Sequence, residues 1–141
     1  MTALENPALR QLAQKALAQR AGSAKGAGAL AAAAQRAYDD LARVSAPVIG
    51  QVGVDALTGR TLYLAQRQYP WLVHTPEPDQ WTGPFAQIVF CLERQPPAIA
   101  TEAAGAVLTT LTGLLVTFIG EPLTAGLLRK AWPDAFSDPQ G

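Results

Sequence analysis

The chain has only one cysteine, Cys91, and one histidine, His74, among its 141 residues. A single cysteine cannot build a disulfide framework or a cysteine-rich zinc cluster, and it is compatible with a reducing cytoplasm. Any catalytic triad or phosphate-accepting histidine would have to use His74, which stands two residues before Pro76 in an irregular stretch. Cys91 lies beside the apolar side of a predicted helix, as is typical of a small core residue. We therefore expect neither residue to carry activity.

The sequence also lacks the common patterns of ligand binding. Gly22, Gly26 and Gly28 make a glycine-rich stretch, but no strand precedes it, as a phosphate-binding loop would require. Asp39 and Asp40 are adjacent and point in different directions from a helix, and they belong to no cluster with metal-ligand spacing. The sequence thus predicts a protein that is not an enzyme, with no cofactor and no metal.

Charge is sparse, and the eleven basic residues balance the eleven acidic ones. Residues 1–69 hold eight basic and four acidic residues, a net +4, whereas residues 70–141 hold three and seven, a net −4. Opposite charge favours contact between these halves, within one chain or between copies. The acid-free stretch 6–38 carries only five basic residues. Such a low density argues against a nucleic-acid partner, while a membrane surface stays open.

What the chain does have is a long apolar stretch, residues 103–120, with no charge between Glu102 and Glu121. Apolar residues nearly all round a helix predict a helix buried on every side. Threonine and glycine dilute its hydrophobicity, and acidic flanks replace the basic and aromatic anchors of a membrane span. The alternative is a membrane-associated helical protein that uses residues 103–120 as its hydrophobic segment. Pro122 and Pro133 predict that a short second helix comes next.

The remaining patterns are helical too, and together they predict an all-α, compact bundle of about five or six helices. Residues 1–28 are interpreted as an amphipathic N-terminal helix, with Asn6 as its cap, tethered by a flexible glycine-rich joint rather than fully integrated. Residues 29–136 form the bundle domain, and residues 137–141 form a C-terminal tail. A kink or break is expected at Ala46 and Pro47. For the ambiguous residues 48–54 a continuing or restarted helix is preferred, and Asp55 is expected to cap the next helical segment.

One apolar seam has the alternating spacing of a coiled coil. It is too regular for a solvent face and too thin to form a core alone, so we interpret it as the contact of a homodimer. The candidate interface residues are Leu30, Ala34, Ala37, Leu41, Val44 and Val48.

Residues 70–84 hold four prolines and two tryptophans, which excludes a regular element. One interpretation is that Trp71, Leu72, Val73 and Trp81 plug the open end of the bundle. The other is a binding rim with Trp71 and Trp81 as anchors and Glu77 and Asp79 as polar orienters. A helix capped by Thr82 is expected after this loop.

These observations predict a non-catalytic helical module for interaction, signalling or scaffolding. We expect it to self-associate, most simply as a homodimer, to bind a protein partner, and to be cytoplasmic. The alternatives are the membrane-associated helical protein described above and a bundle that senses a small ligand.

Overall fold

The structure, a computed structural model, describes residues 7–23, 26–75, 77, 79 and 83–136. These residues form five α-helices and two short 3-10 helices, which confirms the predicted all-α bundle. The α-helices are α1 (Pro7–Ala21), α2 (Ala27–Gln68), α3 (Pro84–Leu92), α4 (Pro97–Ile119) and α5 (Glu121–Ala131). The 3-10 helices are Pro70–Val73 and Pro133–Phe136.

Helix α4 is the centre of the bundle, as its apolar composition predicts. Its buried residues include Val107, Leu108 and Leu115, and it packs against α1, α2 and α5. The hydroxyls of Thr109 and Thr112 are buried without cost, because each donates to a carbonyl of the preceding turn at 2.7 and 2.9 Å. The uncharged part of α4 after Glu102 can therefore carry four threonines and still be covered on most sides.

Helix α2 bends at Gly50 and not at the predicted Pro47. The backbone of Gly50 has φ 82° and ψ 155°, which glycine adopts easily and other residues rarely do. Pro47 lies in the last turn before this bend and keeps helical geometry. The bend divides α2 into α2a (residues 27–49) and α2b (residues 51–68), which confirms the restarted helix. Asp55 does not cap α2b but lies inside it, accepting a bond from Gln51 Nε2 at 3.0 Å.

Helix α1 is part of the common core. Ala13 and Ala16 are fully buried, and Leu9 and Leu17 are nearly so. The packing does not support a loosely tethered first helix, because small alanines let α1 lie close to α2 and α4. The predicted cap Asn6, two residues of the joint and the tail 137–141 lie outside the described residues.

Helix α5 folds back along α2a after Gly120, whose φ of 92° ends α4. Its last turn brings Trp132 into the core, where the side chain is fully buried. From its place at a helix end, Trp132 would be expected to cover the end of the bundle. It is instead a core residue, and its indole Nε1 can be buried because it donates a hydrogen bond to the Ala37 carbonyl oxygen.

Candidate interaction surfaces

The predicted dimer seam lies mostly inside the chain. Leu30, Ala34, Ala37 and Leu41 are between 0 and 8% exposed, so they cannot meet a second copy in this fold. They pack within the same core as α1 and α4. Of the two remaining seam residues, Val44 is half-buried and Val48 is exposed. The seam is thus corrected to an intrachain contact, and self-association needs another surface.

The predicted binding rim is only partly described, because Trp81 and Thr82 lie outside the described residues. Trp71 is half-buried and its ring lies 5.6 Å from that of Tyr69, tilted by 56°. Glu77 and Asp79 are exposed. Of the described members of this set, Trp71, Glu77 and Asp79, no two are joined by a hydrogen bond or ion pair, so a binding rim stays a prediction.

The loop does pack one residue into the bundle, as the plug interpretation predicts. Leu72 is fully buried, and its carbonyl oxygen accepts bonds from Gln87 Nε2 at 2.8 Å and Gln66 Nε2 at 3.3 Å. Two side-chain amides from α3 and α2 thereby hold the 3-10 helix in place. The adjacent Val73 points away and is 56% exposed.

Cys91 and His74 are in contact, but the contact joins the Cys91 thiol to the His74 backbone and leaves the imidazole out. The Cys91 thiol donates to the carbonyl oxygen of His74 at 3.1 Å, and the cysteine is 1% exposed. Burial raises the pKa of the Cys91 thiol, so the reactive thiolate is disfavoured. The His74 side chain is exposed to solvent. Among the described residues no group of three or more His, Cys, Asp or Glu could hold a metal ion.

A charged groove crosses one side of the bundle. Its floor is the guanidinium of Arg20, which binds Asp40 Oδ2 through two nitrogens at 2.6 and 3.1 Å and the Ala131 carbonyl at 3.0 Å. This arginine ties α1, α2a and α5 together, so its first role is structural. The other charged residues lining the groove are Arg36, Asp39, Arg43, Lys130 and Asp134.

A small cavity lies inside the bend of α2, where Ile49 and Leu57 face Leu115 of α4. Its volume is about 10 Å³, room for about one water molecule. The buried hydroxyl of Ser45 lines it and has no hydrogen-bond partner among the described residues. Above it, Tyr38 stacks on Phe85 at 4.2 Å and shares a 2.9 Å bond with Thr58. The cavity is too small for an organic ligand.

The surface that the sequence patterns did not reveal lies on the outside of the bend. Val52 is 83% exposed and Tyr63 is 55% exposed, although α2b has a buried side. Val48, Phe118 and Leu123 are also at least half exposed, and we name these three the bend-end surface. Phe118 and Leu123 lie on either side of Gly120, where α4 ends and α5 begins. Val48 adjoins Ile49, which lines the same cavity as Leu115, one turn before Phe118. A signal was present: no residue between Val44 and Val54 is charged.

In the described part of the chain, α4 is the one helix long and apolar enough to cross a membrane. It has 23 residues, and 56% of its most apolar window is buried by the rest of the protein. The core helix of a soluble protein passes the same test of length and composition.

Comparison with protein-family models, with curated proteins and with solved structures gives no match. Function therefore has to be inferred from the surfaces of the chain.

Proposed function

We propose that this protein is a non-catalytic helical module for interaction, scaffolding or signalling in the cytoplasm, which self-associates and binds a protein partner. The observation that carries the proposal is the exposure of large apolar side chains on an otherwise well-packed bundle. Val52 at 83% exposed is the clearest of them. Apolar surface that is contiguous marks interaction sites more often than scattered single residues do.

Two surfaces serve the two kinds of contact. The outward side of α2b carries Val52 and Tyr63, and we assign self-association to it. The bend-end surface carries Phe118 and Leu123, 62 and 56% exposed, and we assign the protein partner to it. Glu121 is the one charged residue between Glu102 and Arg129, so this end offers little to an ionic partner. A partner that presents an apolar helix or loop fits this chemistry.

Light scattering over a concentration series tests self-association. The expected result is a mass that rises from that of one chain, 14.8 kDa, towards twice that value. A mass of one chain at every concentration would remove self-association from the proposal. Phe118→Ser should leave that mass series unchanged, because the bend-end surface is assigned to another contact.

A membrane-associated function is the second candidate, and the length and composition of α4 favour it. In that case α4 would have to leave its contacts with α1 and α2 to enter lipid. Fractionation decides between the two candidates. Recovery in the membrane fraction that resists high salt and alkali would support the membrane candidate, and recovery without detergent would support the interaction module. The cavity at the bend does not support the alternative of a bundle that senses a small ligand, because that cavity has room for about one water molecule.

A further inference from the structure

Helix α2b has two unlike sides. Its core side carries Val54, Thr58, Thr61 and Ala65, all buried. The opposite side carries Val52, Ala56, Gly59 and Tyr63, which we name the outer face. The spacing of these four residues is 4, 3 and 4, the alternation by which one helix packs along another. A solvent-facing helix side normally carries charged residues, and these four are uncharged and mostly exposed.

Gly59 lies in the middle of the outer face, and no packing contact within the described part of the chain accounts for a glycine at this position. Its backbone is helical, and a Cβ atom built on it meets nothing within 4 Å. Glycine inside a helix costs roughly 0.5–1 kcal/mol relative to alanine, so its presence calls for a gain elsewhere. Between Ala56 and Tyr63, a glycine lets a second helix backbone approach closely, which is where small residues are used at helix contacts.

Two of the three charged residues of α2b, one on each border of the outer face, complement each other across a pair of copies. Asp55 lies on one border and Arg60 on the other, five positions later. In two parallel helices packed along this seam, residue i of one helix faces residue i+5 of the other at the borders. Asp55 of each copy would then face Arg60 of its partner. An antiparallel pair would instead set like borders against each other, so Asp55 would not face Arg60 of the other copy.

We propose that the outer face of α2b is the dimer contact and that its occupant is the α2b helix of a second copy, parallel about a two-fold axis. The proposal rests on the self-association proposed above and gives it a surface and a direction. Tyr63 supplies the largest side chain of the contact, and the Arg60 guanidinium already lies 5.4 Å from its ring centre. An anionic lipid surface fits less well, because Asp55 borders the face and would be repelled.

The test is a charge exchange between chains. Asp55→Arg leaves a chain with two basic borders, and Arg60→Asp leaves a chain with two acidic borders. Each variant alone should repel its own copy and weaken the dimer about tenfold or more. A one-to-one mixture should pair, because every border then meets its opposite. Glu93→Arg, an exposed charge reversal beyond α3, is the matched control and should leave the dimer unchanged.

Sedimentation equilibrium of the wild type, each variant and the mixture separates the possible failures. A wild type that stays monomeric throughout overturns both the face and the self-association part of the proposed function. A wild-type dimer that neither reversal weakens keeps self-association and overturns the face. Two weakened variants whose mixture fails to pair overturn the parallel arrangement. Binding of monomeric wild type to phosphatidylcholine vesicles, lost in Val52→Glu, would show that lipid covers the face instead.

Discussion

The indole Nε1 of Trp132 donates a hydrogen bond of 3.0 Å to the backbone carbonyl oxygen of Ala37, 95 positions earlier in the sequence. Both residues are fully buried, so the bond is protected from water. It fastens the end of α5 to the middle of α2a, on the side where Arg20 also reaches the Ala131 carbonyl. Two long-range contacts therefore meet at one helix end and close the bundle there.

Removal of the Trp132 side chain should be among the most destabilising changes in the protein. Trp132→Ala leaves a large cavity and is expected to cost about 3–5 kcal/mol of unfolding free energy. Trp132→Phe keeps most of the apolar ring and loses the hydrogen bond, so its cost should be clearly smaller. Urea denaturation of both variants measures this. Equal costs would mean that the bond to Ala37, rather than burial, dominates.

The bend of α2 should depend on glycine at position 50. Gly50→Ala forces a Cβ atom into a backbone with φ 82°, which costs about 1–2 kcal/mol. Gly126→Ala is the matched control, because that glycine lies inside α5 with nothing within 4 Å of a built Cβ. The control should gain roughly 0.5–1 kcal/mol. Thermal unfolding of the two variants should therefore shift in opposite directions, and a stabilised Gly50→Ala would show that α2 runs straight.

Tyr69 should make stability fall at high pH. Burial first, and then its bond to Glu102 Oε2 at 3.1 Å, raise the pKa of the Tyr69 phenol to about 12. Since the unfolded chain releases this proton near pH 10, the folded state holds more protons between these two values. The contribution of Tyr69 is thus complete below pH 10 and is lost as pH rises towards 12. Tyr69→Phe should flatten that part of the melting-temperature profile, and an unchanged slope would assign the loss to other groups.

Much of the fold can be predicted from the prolines and glycines that begin or end helices in the sequence. Pro84, Pro97, Gly120 and Pro133 lie within a residue or two of helix boundaries in the structure, because proline and glycine constrain or release the backbone whatever surrounds them. The position of the bend could not be predicted, since Pro47 and Gly50 are both helix breakers three residues apart. Only the fold shows that Gly50, and not Pro47, departs from helical geometry, with a positive φ.

The interaction surface was harder to predict, for a related reason. Periodicity shows that one side of a helix is apolar, and it does not show what covers that side. Leu41 and its neighbours have the spacing of a dimer seam, yet they are buried in one core with other helices of the same chain. Val52 and Tyr63 became visible as surface residues only when Val54 and Thr58 were found on the buried side. A sequence shows which residues are neighbours along the chain, but only the fold shows which distant residues bury a given apolar side.

Leu111 should behave as a core residue and not as part of a membrane span. Its side chain is 4% exposed and lies against α2 beside the small cavity. Leu111→Ala should therefore cost about 2–5 kcal/mol in the protein purified without detergent. Unfolding monitored by circular dichroism measures the loss of helix. A variant as stable as the wild type would mean that lipid, and not α2, covers this position.

Light scattering and circular dichroism of Val52→Glu beside Leu41→Glu decide where two copies of the chain meet. Val52 is 83% exposed, so Val52→Glu should stay folded and dissociate to one chain, because it places like charges across the apolar dimer contact. Leu41 is 1% exposed, so Leu41→Glu should bury an unpaired charge and unfold the protein. A folded, monomeric Leu41→Glu together with a dimeric Val52→Glu would contradict the assignment to α2b and restore the seam as the interface.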